Sequence, residues 1–362
     1  MSSFDKYYIS PAIVSDIEHR AECVPYYNAF YSDEQGGWCL GGAHLPIFTA
    51  PMACIVDDKN YLKFDSEGIL AIVPRTVSFE KRLEIAKEMI WIAVGLDEFN
   101  WIIDNYDHFD NEVYICVDIA NGHMRKLLDM CKKAKLKFGQ NLNLMAGNIA
   151  NSYTYIEYAK SGIDYVRCGI GDGQACATAD LTGISQDAPT FIRSVCEYKG
   201  VIERDFIDNK AYLSIPKIIW DGGISSIRDI VVALALGADY VMCGKIFAQC
   251  EEACGEIIDK LQPIRKTDIC DVCIPNKLNV KNTLEWVHGR MYYGMSTERA
   301  QREMGNKKIK SSEGYEYWVP IEYKLSDWVK QFVDAISSTM SYCNCIHLQD
   351  FIGNVNIRKY SN

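Results

Sequence analysis

The sequence predicts a (β/α)₈ TIM barrel, and three observations carry that prediction. Eight short apolar runs, rich in Ile, Val, Tyr and Phe and too brief for helices, recur along the chain. Amphipathic stretches of helical period lie between several of them. Glycine and polar residues cluster directly after the runs, at the strand ends where such a barrel gathers its chemistry. A doubly wound open sheet is the competing architecture, because the same alternation also builds it.

The runs are Leu45–Ala50, Gly68–Val73, Ile90–Val94, Val113–Val117, Asn143–Ala146, Ile163–Cys168, Lys217–Trp220 and Ala238–Cys243. Strands buried on both faces read as continuous apolar runs, as these do. Phe79–Met89, Met124–Ala134 and Ser226–Leu236 each place their apolar residues on one helical face. Ser78, Asn151 and Ser226 stand where a helix N-cap is expected. Gly162 and Gly237 stand where a helix should stop. Three stretches fall outside the repeat: residues 1–44, an insertion or flap at Lys260–Arg290, and a tail from Met291 with an amphipathic helix around Asp327–Ile336. The expected organisation is one barrel domain over 1–362, with the barrel at about 45–258 and the flap and C-terminal segment at 259–362.

Hydrophobic residues make up 48% of the 362, enough to bury a large core. A net charge of −10 disfavours nucleic acid, which needs a basic surface, but a local cluster of backbone N–H groups can still hold a small anion. No run reaches the ~18 apolar residues of a membrane span, and the first residues do not read as a signal peptide. Fifteen cysteines without such a signal point to free thiols in a reducing, cytoplasmic setting. Cys270, Cys273, Cys343 and Cys345 could offer four thiolates to zinc, although their separation favours unpartnered loop cysteines.

The polar clusters after the runs suggest the chemistry. Asp221, Gly222 and Gly223 follow the seventh run, and Gly244 and Lys245 follow the eighth. These are the positions of the usual barrel phosphate site, though glycines there also serve simply as turns. Gly169–Cys176 is a glycine-rich loop ending in a thiol. Cys176 is either a nucleophile on that loop or a buried structural cysteine.

Taken together and in order, the motifs Asp-Ile-Ala-Asn-Gly (118–122), Met-Ala-Gly-Asn (145–148), Gly-Ile-Gly-Asp-Gly-Gln-Ala-Cys-Ala-Thr (169–178), Asp-Gly-Gly (221–223), Gly-Ala-Asp-Tyr-Val-Met-Cys-Gly (237–244), Tyr-Gly-Met-Ser (293–296) and Ser-Glu-Gly (312–314) resemble the GMP reductase and IMP dehydrogenase family. The resemblance runs from about Leu45 to Tyr342. It implies that Cys176 attacks purine carbon 2 to form a thioimidate, and that Thr178 and Glu313 handle protons for the departing group. It further implies that Asp221 binds ribose, that Gly222, Gly223, Gly244, Lys245 and Gln174 surround phosphate, and that Gly294, Met295, Ser296 and Gly314 hold the base. Asp118, Ile119, Ala120, Ile170 and Gly171, with Ser338, Thr339, Met340 and Ser341 in the tail, resemble contacts to NADPH. Backbone carbonyls of Gly171, Gly173 and Cys176 resemble a potassium loop. The resemblance implies cofactor contacts supplied by a neighbouring subunit, which would favour a tetramer, and a homotetramer is the expectation here.

The chain reads closer to the reductase, which converts GMP, or here a closely related purine nucleotide, to IMP. Phe79–Met89 runs straight into the third strand, leaving no room for the CBS-type regulatory insertion usual in the dehydrogenases. No Arg-Tyr dipeptide, which serves the dehydrogenase's hydrolytic step, is present. Departures from the family pattern are Asp172 and Gln174 where Pro and Ser are usual, Lys245 in place of a small residue, and Ala179 or Asp180 in place of a basic one. The alternatives are an IMP dehydrogenase using NAD and a purine-nucleotide-binding barrel without turnover.

Overall fold

All eight apolar runs form parallel strands of one sheet that closes on itself. The structure, a computed structural model, describes residues 3–28, 30–32, 37–39, 42–206, 211–263 and 284–360. The strands are β1 (Ile47–Thr49), β2 (Ile72–Val73), β3 (Trp91–Val94), β4 (Val113–Asp118), β5 (Leu142–Ile149), β6 (Tyr165–Cys168), β7 (Lys217–Asp221) and β8 (Tyr240–Cys243). Neighbours pair in sequence order from β2 to β8, and β8 pairs with β1. Closure comes from a parallel bridge between Phe48 and Leu70, with Thr49 N–H donating to the Leu70 carbonyl at 3.0 Å. A closed ring has no edge, so the open doubly wound sheet is excluded.

Helices cross over between strands: α1 (Phe79–Ala86), α2 (Leu96–Asn105), α3 (Arg125–Phe138), α4 (Thr154–Lys160), α5 (Ala188–Asp205) and α6 (Ile227–Ala235). Ser78 and Ser226 cap α1 and α6 through their side chains, as expected. Asn151 does not cap α4. Its carboxamide accepts from Tyr153 N–H at 3.0 Å two residues on, making a turn that ends before the helix begins.

An aromatic layer plugs the N-terminal end of the barrel. Phe48 lies 5.6 Å from Trp91 and 5.2 Å from Tyr240, and Trp91 lies 5.1 Å from both Tyr114 and Tyr165. Most of these rings meet edge to face, which adds about 0.5–1.5 kcal/mol per pair beyond burial. Two Gly-x-Asp-Tyr-Val segments, 162–166 and 237–241, tie the strands at this end. Asp164 accepts from Leu144 N–H and Asp239 from Ile218 N–H, and Lys135 and Lys199 neutralise them at 2.8 Å.

Beyond β8 come two hairpins. β9 (Lys260–Pro263) pairs with β10 (Leu284–Val287), and β11 (Gly289–Tyr293) pairs with β12 (Glu316–Pro320). The expected tail helix is α7, Leu325–Tyr342, longer than its apolar stripe suggested. Tyr292, Tyr293, Trp318, Tyr323 and Trp328 pack rather than form an open platform: Trp328 sits 5.4 Å from Phe247 and 5.6 Å from Phe332, and Tyr323 donates to the Ile246 carbonyl. Among the described residues, no helix is long and apolar enough to cross a membrane and no group of three His, Cys, Asp or Glu could hold a metal ion. Cys270 and Cys273 lie outside the described residues.

Candidate active site

A cavity of about 690 Å³ opens at the C-terminal ends of the barrel strands, opposite the aromatic plug. It is a mixed surface of backbone-rich loops, a few apolar side chains and convergent polar groups, the usual character of a small-molecule site.

The thiol wall is built by one loop meeting a distant one. Cys176 is partly exposed and lines the cavity. Its N–H donates to the Gly173 carbonyl at 2.8 Å, closing a tight turn. Gly171 reaches this turn at φ +90, and a side chain there would collide with Ala179 and the Ile184 carbonyl. Cys176 pairs as an isolated antiparallel bridge with Gly314, through Ala177 N–H to the Glu313 carbonyl at 2.8 Å and Tyr315 N–H to the Ala175 carbonyl at 3.0 Å. That bridge brings the Glu313 carboxylate to the Thr178 hydroxyl, which donates to Oε2 at 3.3 Å. Cys176, Thr178 and Glu313 therefore share one patch of wall. Gly294 closes the same corner, because a side chain there would meet the Ala175 carbonyl at 2.6 Å.

Cys54 and Cys116 are buried in the core. Burial pushes the thiol of Cys116 up to about 12 and that of Cys54 up to about 11, so neither is a ready thiolate.

The far floor is held by an ion-pair network. Asp221, at the end of β7, accepts at Oδ2 from Arg167 Nη2 at 2.8 Å, Arg167 Nε at 3.1 Å and Asn148 Nδ2 at 2.8 Å. Arg167 also grips Asp118 Oδ1 at 2.6 Å. The Asp221 carboxylate is thus fixed by its Oδ2 and presented to the cavity it lines. Gly222, Gly223, Gly244 and Lys245 line the same end, and the Trp220 indole N–H holds the Gly222 carbonyl at 2.6 Å. Gln174 lines it too, its carboxamide oxygen accepting from Tyr317 Oη at 3.1 Å. Met295 and Ser296 line the wall beside Cys176, and Gly314 stands behind it as backbone.

Asp118, Ile119, Ala120, Ile170 and Gly171 line the same cavity. Ser338, Thr339, Met340 and Ser341 do not join them within one chain. They lie in α7, where Met340 is buried and Thr339 lines a separate hollow with Tyr8, Pro11 and Tyr342. As to potassium, the Gly173 carbonyl is already engaged by the Cys176 N–H.

Among the lining residues that escaped the sequence reading are two arginines. Arg167 hides inside the apolar run of β6, where a lone charge signals a buried partner. Arg75 stands two residues past the end of β2, and its buried Nε has no partner among the described residues. The strand-end rule that found Asp118 and Asp221 also applies to Arg75.

Asp172 sits behind the loop, its Cβ within 3.2 Å of where a Gly222 side chain would start and its Oδ2 buried without a partner among the described residues. Burial, with help from Asp187, raises its carboxyl from 3.8 to about 6. The folded state therefore favours the neutral form. Its stability is full below the ordinary carboxyl range and declines as pH rises through about 6. Asp172→Asn is expected to raise Tm at pH 7.5, by a gain on the order of 1 kcal/mol once solvent screening is allowed for, and to lose that advantage near pH 4. Thermal melts across pH check this; an equal gain at both ends would contradict it.

Residues 107–362 match the family described as the IMP dehydrogenase / GMP reductase domain. The chain is 26% identical over 260 residues to GMP reductase 2 of Homo sapiens, covering 71% of this chain and 64% of that protein. It is 24% identical over 317 residues to the GMP reductase of Shewanella halifaxensis, covering 84% and 81%. It is 32% identical over 229 residues to the inosine-5'-monophosphate dehydrogenase of Chlorobaculum tepidum, covering 63% and 41%. The matched region spans about three fifths of the length of the mammalian GMP reductases, 58% to 64%.

Proposed function

The chain belongs to the IMP dehydrogenase / GMP reductase family, and from that premise we propose that it is an oxidoreductase converting GMP, or a closely related purine nucleotide, to IMP at the expense of NADPH. The observation that carries this reading is the Thr178–Glu313 contact at 3.3 Å on the wall that also holds Cys176.

In this reading the Cys176 sulfur bonds to purine carbon 2. The bond from carbon 2 to the exocyclic nitrogen then breaks, and ammonia leaves with protons passed along Thr178 and Glu313. General acid help of this kind is worth about 10²–10⁴-fold, because an amide-like amine leaves poorly. NADPH, when bound, supplies the hydride that reduces carbon 2. Rupture of the carbon–sulfur bond returns the thiolate and frees IMP.

The remaining residues orient. Asp221, held on one oxygen by Arg167 and Asn148, accepts from the ribose hydroxyls. Gly222, Gly223 and Gly244 offer backbone to the phosphate, with Lys245 as a point charge and Gln174 as a polar contact. Gly294, Met295 and Ser296 hold the base. Asp118, Ile119, Ala120, Ile170 and Gly171 flank the nicotinamide end. Ser338–Ser341, which lie away from the cavity within one chain, would reach a cofactor only from a neighbouring copy, which supports a homo-oligomer. No step runs through potassium.

Absorbance at the reduced-nicotinamide band tests the reading. GMP-dependent oxidation of NADPH, with IMP and ammonia as products, is expected. NAD reduction with IMP would move the assignment to the dehydrogenase. Silence in both assays from folded protein would leave a nucleotide-binding barrel.

A further inference from the structure

We propose that Gln301 is a positioning residue that clamps the loop carrying Glu313 down over the cavity. The inference rests on the reading above for its catalytic consequence, but the clamp itself rests on geometry alone.

Gln301 lies in the short helix Glu298–Glu303 and is buried, with 7% of its surface exposed. That helix packs its inner face beside the cavity, and an apolar side chain would satisfy such a position. A carboxamide is costly to bury unless its hydrogen bonds are made. Here they are made. Nε2 donates to the Ser296 carbonyl at 3.0 Å and to the Lys310 carbonyl at 3.1 Å, and Oε1 accepts from the Lys310 N–H at 2.8 Å. One side chain thus acts as a false strand against Lys310, pairing with both of its backbone groups, while its second donor holds the segment that lines the base end of the cavity.

The loop has little else to hold it. From Lys307 to Ser311 it has no regular structure, and every hydrogen bond recorded there among the described residues goes to the Gln301 carboxamide. Asn306, Lys310, Ser311 and Glu313 from this stretch all line the cavity. Lys310 stands three residues before Glu313, so releasing it frees the approach to the Thr178–Glu313 contact. The downstream anchor is the Cys176–Gly314 bridge. Gln301 is the upstream one, and the loop between them is a wall of the site only while both hold.

Gln301→Met fills a similar volume and removes all three bonds. Hydrogen–deuterium exchange of the free protein is expected to speed up in peptides covering 304–312 by about 10- to 100-fold, as follows from losing two or three hydrogen bonds. Exchange in β6 and α5 should not change. With GMP and NADPH, kcat is expected to fall on the order of tenfold while KM for GMP stays within about twofold, because Glu313 is misplaced and Asp221 is not. A merely structural residue would lower Tm and move neither selectively. Unchanged exchange in 304–312 would overturn the clamp. Faster exchange with an unchanged kcat would overturn the positioning role. Faster exchange in a protein that never oxidises NADPH with GMP would leave the clamp standing and overturn the proposed reaction instead.

Discussion

Replacing Cys176 with alanine is expected to lower kcat for GMP-dependent NADPH oxidation by about 10⁴-fold or more while the protein stays folded. The size of the effect follows from the role. Without sulfur at carbon 2, the exocyclic amine has no covalent intermediate through which to leave, and the Thr178–Glu313 pair has nothing to assist. The fold should tolerate the change because Cys176 lies partly exposed on a cavity wall, not in the core, and such substitutions usually shift stability by no more than about 0.5 kcal/mol. Nucleotide should still bind, since Asp221, the glycine cradle and Met295 are untouched. Mass spectrometry of the denatured wild-type enzyme, quenched during turnover, should show a purine-nucleotide adduct on the peptide containing Cys176, and the variant should show none. Turnover within tenfold of wild type in Cys176→Ala would rule out the covalent route.

The architecture was readable because a barrel strand is buried on both faces, so hydrophobicity alone marks it. Each of the eight runs became a strand, yet their ends moved. Gly68–Val73 shrank to Ile72–Val73, because Gly68 takes φ +73 and closes the turn after a short helix. The helix around Asp327–Ile336 extends to Tyr342, with Met340 continuing its buried face and the hydroxyls of Thr339 and Ser341 satisfied by donating to the Ala335 and Ser338 carbonyls. Asn151 misled because a turn-forming asparagine and a capping one look alike in sequence. The co-location of Cys176, Thr178 and Glu313 was legible through motif order, which survives even where Asp172 and Gln174 depart from pattern. Arg167 and Gln301 were not legible. Their partners lie on other strands or on an irregular loop, and no local periodicity records a contact made across the barrel. Both are polar groups in apolar surroundings, which is the trace a sequence does carry and which its strand and helix patterns conceal.

Arg167→Leu is expected to cost about 3–5 kcal/mol, a fall in Tm on the order of 5–10 °C. The guanidinium is buried, with only 8% of its side chain exposed, and it bridges Asp118 at 2.6 Å and Asp221 at 2.8 Å. Burial opposes its charge, but the two neighbouring carboxylates hold its pKa well above the ordinary arginine value, so the guanidinium stays charged. Removing the cation leaves two carboxylates, on β4 and β7, facing one another across the space it filled. That is the expensive way to break a buried pair, because the partners keep their desolvation and lose its compensation. Arg167→Lys keeps one charge but cannot fork to both acceptors, so it should lie between the two. A double-mutant cycle separates this from simple cavity formation: in an Asp118→Asn background the same Arg167→Leu change should cost measurably less. The catalytic signature should differ from that of Cys176. Asp221 would lose the grip on its Oδ2 and Asp118 would lose its partner, so KM should rise for both the nucleotide and the cofactor, with a smaller loss in kcat. A Tm within about 2 °C of wild type, or a cost unchanged by Asp118→Asn, would mean that water or Asn148 supplies what the structure assigns to Arg167, and that the two ends of the cavity are positioned independently.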